Sequence, residues 1–425
     1  MTVHVRTLPS RDKTFSLIQK SLRTMLLTRL KKLHTGRLVI ADPLGISSFG
    51  SIDAGGPLAS IRITNPAFYV RLAFGGSLGA AESYMDGDWA ADDLVEVIRL
   101  LVLNQEVMQS FEGGTAVVQK PAMALFRQLT RNTLQGSRRN IAGHYDLSND
   151  LFRLFLDQRM MYSCAYYERD DMTLDEAQVA RLDRICRRAG LKPGDHVLEI
   201  GTGWGGFAIH AARHYGCQVT TTTISEEQYS LARERIDAAG LADQIILLKK
   251  DYRDLTGKYD KVVSIEMIEA VGAEYLPGYL AKCADLLEDD GLLFLQAITI
   301  NDQLYDRAVQ EVDFIKKYIF PGSFIPSVSA ILDGAKQATD LRLYSLDDIT
   351  PHYARTLLDW RRRFLAHRDA ILDMGFDEHF IRRWDYYFCY CAGGFLERSI
   401  GNVHLIFGKP GFRTDLSRDL IIKGE

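Results

Sequence analysis

A run of tyrosines surrounds one cysteine in the first half of the chain. The segment MMYSCAYY, residues 160–167, places Cys164 among three tyrosines, two methionines and a serine. Three interpretations are open: apolar core, a reactive thiol, or the wall of a pocket for an apolar or cationic ligand. The thiolate is the reactive form of cysteine, and aromatic ring faces attract cations. The residues around this segment therefore decide its chemistry.

A glycine-rich turn follows along the chain. The segment VLEIGTGWGG, residues 197–206, stands between a predicted strand and a predicted helix. Glycine lets the backbone bend sharply and approach a ligand closely. The spacing is GxGxGG, with Glu199 before the first glycine, whereas NAD enzymes usually have GxGxxG. This form looks like the first motif of S-adenosylmethionine (AdoMet) methyltransferases.

The next two predicted strands end in polar residues. Such domains usually place an acid at the end of the second strand for the ribose hydroxyls, but this one ends TTTIS, residues 221–225. We expect these hydroxyls and Gln228 to replace the carboxylate. After the third strand, Tyr252 is expected to lie against adenine and Asp251 to bond its amino group. An ordinary strand-end aromatic is the alternative for Tyr252.

The elements that must position these residues alternate between strand and helix. Strands that alternate with helices of about 12 residues are typical of a parallel sheet covered on both faces. We therefore predict an α/β fold with a mostly parallel sheet. The predicted strands are HVLEIG, QVTTTTIS, IILLKKD, YDKVVSIEM and GLLFLQAITI.

The N-terminal part has a different pattern. Residues 13–33 form an amphipathic helix with a basic face, which indicates either a domain-packing helix or a helix on an anionic membrane surface. Short strands are predicted for residues 36–74, followed by helices. We divide the chain into a lipid- or membrane-docking α+β domain (1–110), a connector (111–140) and a catalytic domain (141–425).

Composition excludes several classes of protein. The 425 residues carry a net charge of −4, which argues against a nucleic-acid binder, although residues 1–37 hold nine Lys or Arg and one acid. The six cysteines form no paired CxxC motifs, so no metal site is expected. No apolar run is long enough to span a membrane. We expect a cytoplasmic protein associated peripherally with the inner face of the membrane.

Taken together, the motifs closely resemble those of the cyclopropane fatty acid synthases and mycolic acid cyclopropane synthases. The resemblance implies the AdoMet methyltransferase fold with helices over a lipid tunnel. It also extends to GDWAADDL in the N-terminal part. The matching segments are GHYDLSNDLFRLFLDQRMMYSCAYY, VLEIGTGWGGFAIHAA, TISEEQ, DYRDL, IEMIEAVG, KYIFPGSFIPS, HYARTLLDW and CAGGF.

The resemblance also implies two sets of site residues. Contacts to AdoMet are assigned to Tyr162, Ser163, Glu199, Gly201, Gly203, Trp204, Gly205, Thr223, Ile224, Ser225, Gln228, Asp251, Tyr252, Arg253 and Ile265. The family binds bicarbonate, and its shell is assigned to Cys164, Glu269, Gln296, Ile298 and Tyr353. Cys391 in CAGGF joins the catalytic candidates, with a core position as the alternative.

Two departures from the family pattern leave the product open. The chain has Ile268-Glu269-Ala270 where known synthases have FEH, and Gln296 where they have histidine. Glutamine can hydrogen-bond an anion but does not titrate near neutral pH. The expected product is a cyclopropane; methyl- or methylene-branched fatty acids are the alternative, and a non-catalytic lipid-binding protein is the alternative from another class.

The chemistry implied is methyl transfer from AdoMet to a cis double bond of a phospholipid acyl chain. Attack leaves a carbocation, which aromatic faces tolerate by cation–π attraction. The candidates are Tyr162, Tyr166, Tyr318 and Tyr353. Bicarbonate would take a proton with Glu269 as its orienting group, and Cys164 would act as a neutral donor. Dimerisation through the small domain would strengthen membrane contact.

Overall fold

The computed structural model describes residues 15–51, 55–107, 126, 128–133, 136 and 148–413. The chain forms two compact units. The first contains residues 1–128, 312–319 and 360–399, and the second contains residues 129–311, 320–359 and 400–425. The sequence boundaries placed residues 312–319 and 360–399 in the catalytic domain, whereas they cluster with the N-terminal part. Most of the predicted connector lies outside the described residues.

The first unit combines a four-stranded sheet with helices. The strands have the order β2-β1-β3-β4, with β1 parallel to β3 and the other pairs antiparallel. Helix α1 begins after Ser16, which forms a capping box with Gln19. The elements are α1 (Leu17–Leu30), β1 (Arg37–Asp42), β2 (Gly45–Gly50), β3 (Leu58–Ile63), α2 (Ala67–Met85), β4 (Trp89–Ala91) and α3 (Leu94–Leu103).

Two sequence predictions for this unit were wrong in detail. The segment AFYVRLAF was predicted as strand, but α2 begins at Ala67, directly after Pro66. A short run rich in apolar and aromatic residues does not distinguish a buried helix from a buried strand. The segment around Trp89 was predicted as helix, but it forms β4 and pairs with β3.

The C-terminal helices of this unit pack against α2 and α3. A Cβ added at Gly393 would lie 2.6 Å from Ile98 Cγ2, so glycine permits the close approach of the helices. The Tyr84 hydroxyl donates to Asp385 at 2.6 Å. These contacts explain why residues 360–399 belong to the first unit. The helices are α12 (Arg368–Asp373) and α13 (Glu378–Leu396), with a π-helical turn at Ile315–Ile319.

The second unit contains a seven-stranded sheet of order β10-β11-β9-β8-β5-β6-β7. Strands β7, β6, β5, β8 and β9 are parallel, and β11 lies antiparallel between β9 and β10. This confirms the predicted α/β class. The strands are β5 (His196–Ile200), β6 (Gln218–Thr222), β7 (Ile245–Leu248), β8 (Tyr259–Ile265), β9 (Leu287–Ile300), β10 (Arg342–Asp348) and β11 (Ile400–Gly408).

Helices cover both faces of this sheet. Val197 and Phe294 face a core built with helices that precede and follow β5, whereas Leu198 and Leu293 face the opposite core. Adjacent strand residues point to opposite faces, so each strand contributes to both cores. The helices are α4 (Asn149–Arg153), α5 (Leu174–Arg188), α6 (Gly206–Tyr215), α7 (Glu226–Ala238), α8 (Leu276–Asp285), α9 (Asp302–Gln310), α10 (Val328–Ala338) and α11 (Thr350–Ala366).

Among the described residues, no helix combines the length and hydrophobicity needed to cross a bilayer.

Candidate active site

The glycine-rich turn connects β5 to α6 at the carboxyl edge of the parallel strands. Gly201, Gly203 and Gly205 have φ values of 101°, 53° and 83°, which side chains rarely adopt. A Cβ added at Gly203 would meet nothing within 4 Å, whereas one at Gly201 would lie 3.1 Å from the Met267 side chain. The turn therefore leaves open space beside Gly203, where the backbone can approach a ligand.

Two residues of the same motif are largely occupied by protein contacts. Glu199 is buried and accepts a hydrogen bond from the Thr221 hydroxyl at 2.5 Å; burial raises the pKa of Glu199 to about 8. Trp204 donates from its indole nitrogen to Asn149 at 2.7 Å. The Trp204 ring lies 5.0 Å from that of Phe152. Contact of either residue with AdoMet stays a prediction.

A hydroxyl and amide cluster replaces the expected acid after β6. Thr223 donates from its hydroxyl to Gln228 Oε1 at 2.8 Å and accepts from the Ser225 amide at 3.1 Å. Ser225 caps α7 by accepting from the Gln228 amide. These three residues are buried, and Ile224 between them is partly exposed. The cluster fixes polar atoms at the strand end where the sequence predicted them.

The segment after β7 contains a bidentate ion pair. Arg253 donates from Nε and Nη2 to the two carboxylate oxygens of Asp251, at 2.8 and 2.7 Å. The Tyr252 ring meets that of Tyr279 edge to face at 5.1 Å, and the Arg253 guanidinium lies 5.4 Å from the Tyr252 centroid. A bidentate pair orients both side chains firmly. The bond from Asp251 to an adenine amino group stays a prediction.

The MMYSCAYY segment is buried and lies before α5. The Tyr162 ring packs edge to face on Phe152 at 5.4 Å, and the Ser163 carbonyl accepts from Gln178 at 2.9 Å. Cys164 is fully buried, and its amide donates to Glu266 Oε1 at 3.0 Å. Burial raises the pKa of the Cys164 thiol well above its ordinary value, with the Glu266 charge adding to the effect. The thiol is therefore neutral, as the sequence predicted.

Glu266 is the centre of the site, and the sequence analysis missed it. Its carboxylate accepts hydrogen bonds from the Cys164 amide (3.0 Å), Gln296 Nε2 (2.7 Å), Asn402 Nδ2 (2.8 Å) and the Tyr353 hydroxyl (2.6 Å). The residue follows β8 with a φ of 48°, an uncommon backbone conformation for a non-glycine residue. Such strain is concentrated at functional sites. The signal in the sequence was the first glutamate of IEMIEAVG, of which only the second was considered.

Gln296 is held from both ends. Its Nε2 donates to Glu266, and its Oε1 lies 3.1 Å from Nε2 of His404 on β11. Burial lowers the pKa of His404 well below its ordinary value, with Arg184 as the next cause, so the ring is neutral. A neutral His404 donates from Nε2 and fixes the amide so that Nε2 of Gln296 points at Glu266. His404 was not predicted, because nothing in its own segment indicates a site.

Glu269 lies on the short 3₁₀ turn after β8. Its Oε1 accepts from the Ile298 amide at 2.5 Å, and its buried Oε2 has no hydrogen-bond partner in the part of the chain that the structure describes. Burial, and then the charge of Glu266, raise the pKa of Glu269 to about 8. Glu269 is therefore mostly protonated at neutral pH. The ionised form of Glu269, which would orient a bound anion, is disfavoured in this environment, because one amide cannot offset the loss of water.

A buried arginine balances the charge of Glu266. Arg181 is fully buried on α5, where its Nε and Nη2 donate to Gln178 Oε1. Burial is the largest cause and leaves the pKa of Glu266 above its ordinary value, although its hydrogen-bond donors and the positive charge of Arg181 lower it. A buried carboxylate needs such compensation to stay ionised. Within the buried site, Glu266 is the acid best placed to carry a negative charge.

The remaining predicted residues are in different surroundings. Ile265 is buried at the end of β8, in register with Gln296. The Tyr166 ring lies 4.3 Å from the His352 ring at a tilt of 45°. The Arg184 guanidinium lies 4.6 Å from the Tyr166 centroid, so a cation is already beside this ring. Cys391 and Tyr318 belong to the first unit. Burial raises the pKa of the Cys391 thiol, and Tyr318 donates to Glu82 at 2.7 Å.

Comparison with known proteins identifies the family. The sequence model for mycolic acid cyclopropane synthetase matches residues 132–405. The chain belongs to this family. Tuberculostearic acid methyltransferase UfaA1 of Mycobacterium tuberculosis is 40% identical over 84% of this chain and 84% of its own length. Cyclopropane-fatty-acyl-phospholipid synthase of Escherichia coli K12 is 38% identical over 87% of this chain and 93% of its own length.

A solved structure supports the same conclusion. The mycolic acid cyclopropane synthase CmaA1, complexed with SAH and CTAB, is 30% identical and has a TM-score of 0.60 over 64% of this chain and 98% of its own. The chain is therefore an AdoMet-dependent methyltransferase of the mycolic acid cyclopropane synthetase family. The open space at Gly203 and the polar cluster at Thr223 fit AdoMet, which supplies an electrophilic methyl group when bound.

The residues present do not fit the bicarbonate ion that the resemblance implied. Three of the expected shell residues, Cys164, Gln296 and Tyr353, direct their donors at the Glu266 carboxylate. A fourth, Ile298, donates its amide to Glu269. An additional anion would meet donors that are already engaged, beside a buried carboxylate that repels it. The proposed reaction therefore uses no bicarbonate.

Proposed function

We propose that this enzyme transfers the AdoMet methyl group to the cis double bond of an unsaturated acyl chain in a membrane phospholipid, with a cyclopropane fatty acid as the product. The observation that carries the proposal is the buried acid cluster of Glu266 and Glu269 at the carboxyl edge of the sheet that also holds the glycine turn. Ligands of parallel α/β sheets bind at this edge. Family membership supplies the class of reaction.

The residues of the site suit a reaction that passes through a carbocation. The aromatic rings of Phe152, Phe155 and Tyr162 pack against one another, and both phenylalanines are fully buried. A dry site delays capture of the cation by water. An aromatic face contributes roughly 0.5–2 kcal/mol of cation–π attraction. The neutral Cys164 thiol does not compete with the alkene for the methyl group, because the thiolate is the nucleophile.

A second product class is favoured by one observation. The chain has Gln296 bonded to Glu266, where the resemblance implied histidine beside an ion. This altered site suits a hydride shift before the proton leaves the new methyl group, which would give a methylene-branched fatty acid. A methyl branch would then require a separate reductant. The 40% identity to tuberculostearic acid methyltransferase agrees with that alternative.

One experiment separates these products. The purified enzyme would be incubated with methyl-labelled AdoMet and vesicles of unsaturated phospholipid, and the extracted lipid would be measured by NMR. Upfield ring protons support the cyclopropane, and vinylidene protons support the methylene product. Absence of any labelled acyl chain would contradict both and favour a non-catalytic lipid-binding protein.

We also propose that α1 docks the enzyme on the anionic inner face of the membrane, from the cytoplasm. Leu26 and Leu30 are buried and anchor the helix, whereas Leu17 and Ile18 are 85% and 67% exposed. Arg23 is paired with Asp42 and is not available to lipid headgroups. Exposed apolar residues beside basic residues are typical of interfacial helices. A homodimer would double these contacts and raise avidity.

Replacing Lys31 and Lys32 with glutamine tests the docking proposal. Each lysine near an anionic surface contributes about 1 kcal/mol, so vesicle binding should weaken by roughly 10- to 30-fold at low salt and less at high salt. Cosedimentation with phosphatidylglycerol vesicles measures the effect. The exposed Lys336 on α10, also changed to glutamine, serves as the control for lost charge. Unchanged binding of the double variant would assign α1 to packing alone.

A further inference from the structure

We propose that the Glu266 carboxylate occupies the position that bicarbonate was expected to fill, and that this carboxylate accepts the proton lost during the reaction. The enzyme then works without bicarbonate. The inference rests on the proposed function for its chemical step, but the occupancy of the anion position can be tested without turnover.

The geometry around Glu266 is that of a bound anion. Four donors from four separate segments converge on its two oxygens at 2.6 to 3.0 Å. Among the described residues, Oε1 accepts from Cys164, Gln296 and Asn402, whereas Oε2 accepts from Tyr353 alone. A carboxylate offers about four lone-pair sites. Oε2 therefore keeps a lone pair that can take a proton, while Oε1 fixes the orientation of the group.

The charges around Glu266 support one anion at this position. The buried Arg181 favours the ionised form of Glu266, and Glu269 has a pKa of about 8 partly because that charge is present. The other titratable groups that act on the site are the neutral Cys164 thiol and the Tyr353 hydroxyl. A free bicarbonate ion would place a second negative charge in the same buried volume. Buried like charges disfavour each other strongly.

The proton-transfer step balances without an added ion. Transfer of the methyl group breaks its bond to sulfur and forms a bond to one alkene carbon, which leaves a carbocation on the neighbouring carbon. Glu266 Oε2 then takes a proton from the new methyl group, and the electron pair of that C–H bond closes the cyclopropane ring. If a hydride first shifts along the chain, the same electron pair forms the methylene double bond. The proton passes from the neutral Glu266 to water after the product leaves.

A binding experiment tests the occupancy directly. Labelled ¹³C-bicarbonate would be titrated into the enzyme in the presence of S-adenosylhomocysteine and followed by NMR. We expect no saturable binding to the wild type and saturable binding to Glu266→Gly, which removes the carboxylate. Glycine suits the φ of 48° at this position, so the backbone should be preserved. Stoichiometric binding of bicarbonate to the wild type would overturn the proposal, whether or not the enzyme turns over.

Activity assays test the role of Glu266 as the base. In carbonate-free buffer, addition of bicarbonate should leave wild-type turnover unchanged, and Glu266→Gln should lower it at least about 100-fold. The affinity for S-adenosylhomocysteine should stay at the wild-type value. Bicarbonate or formate should restore part of the activity of Glu266→Gly. The exposed Glu288, changed to glutamine, is the control.

The outcomes are distinct. A tenfold rise in wild-type turnover on addition of bicarbonate, or wild-type turnover in Glu266→Gln, would overturn the inference. A wild-type enzyme that forms no labelled acyl product contradicts the proposed function instead, and the bicarbonate titration then decides the occupancy of the anion position.

Discussion

The carboxyl edge of the seven-stranded sheet has two halves, whose site residues are assembled differently. In the half formed by β5, β6 and β7, each group of site residues comes from one short segment directly after a strand, such as Gly201 to Gly205 or Asp251 to Arg253. In the half formed by β8, β9 and β11, Glu266 collects donors from segments that are distant in sequence. The site residues of the first half are close together in sequence, whereas those of the second half come together only in the folded chain.

The two halves are suited to different tasks, cofactor recognition and proton transfer. The local half offers open space and fixed polar atoms, which suit recognition of a cofactor. The assembled half buries ionisable groups and shifts their pKa values, which suits proton transfer. Substitutions in the first half should therefore change cofactor affinity, and substitutions in the second should change turnover.

Glu269→Gln should have the largest effect. The charge of Glu266 raises the pKa of Glu269, so the two carboxyl groups titrate as a coupled pair. An amide at position 269 cannot take or give a proton within that pair, so turnover should fall about 100-fold. The affinity for S-adenosylhomocysteine, measured by calorimetry, should change little because Glu269 lies in the assembled half. Glu288→Gln is the matched control on an exposed site. Equal losses of turnover and of affinity for S-adenosylhomocysteine would contradict the separate roles of the two halves.

Gly203→Asn tests the local half. A side chain at Gly203 would enter the open space of the turn, so affinity for S-adenosylhomocysteine should fall about 10- to 100-fold. Asparagine tolerates positive φ better than most residues. Gly240→Asn is the control, since Gly240 has a φ of 68° and equally open surroundings. Similar affinities of the two variants would show that the turn does not face the cofactor.

Tyr353→Phe should give a smaller effect with a diagnostic pH dependence. The Tyr353 hydroxyl stabilises the ionised form of Glu266, so its removal raises the pKa of Glu266. A base is active above its pKa, and the rising limb of the kcat/KM profile should therefore move to higher pH. Turnover at neutral pH should fall about tenfold. A profile that keeps its position while the rate falls would indicate a packing role for Tyr353.

Glu199→Gln should affect stability more than chemistry. The pKa of Glu199 is raised to about 8 in the folded protein, so the stability it contributes is present below its unfolded value and is lost as the pH rises toward 8. The variant should therefore gain in free energy of unfolding relative to the wild type between pH 5.5 and pH 8. Urea denaturation at both values measures the change. A constant difference would mean that Glu199 is ionised when folded.

The sequence predicted the parts that depend on local patterns. The alternation of strands and helices gave the α/β sheet, and the hydroxyl cluster after β6 was expected at Thr223 and Ser225. Cys164 was correctly predicted to be neutral, because it stands in an apolar run that folds into a buried segment. The AdoMet contacts assigned to its neighbours Tyr162 and Ser163 remain predictions.

The sequence analysis missed what depends on distant segments. Glu266 sits one turn before Glu269, and nothing in its own segment shows that donors from α11 and β11 reach it. The orienting role of Glu269 depended on its ionised form, which burial disfavours, and burial cannot be read from a single segment. The placement of residues 360–399 in the first unit depends likewise on helix packing, such as the approach of α13 to α3 at Gly393.

The position of β11 has a consequence for how the enzyme is made. This strand is near the C-terminal end of the sequence, yet it lies between β9 and β10 and brings Asn402 and His404 to the site. During synthesis the ribosome delivers the N-terminal parts first. The cofactor turn can therefore form on the nascent chain well before the proton acceptor is complete. A chain released before β11 would lack these contacts, so catalytic competence requires β11 to be synthesised and paired with β9.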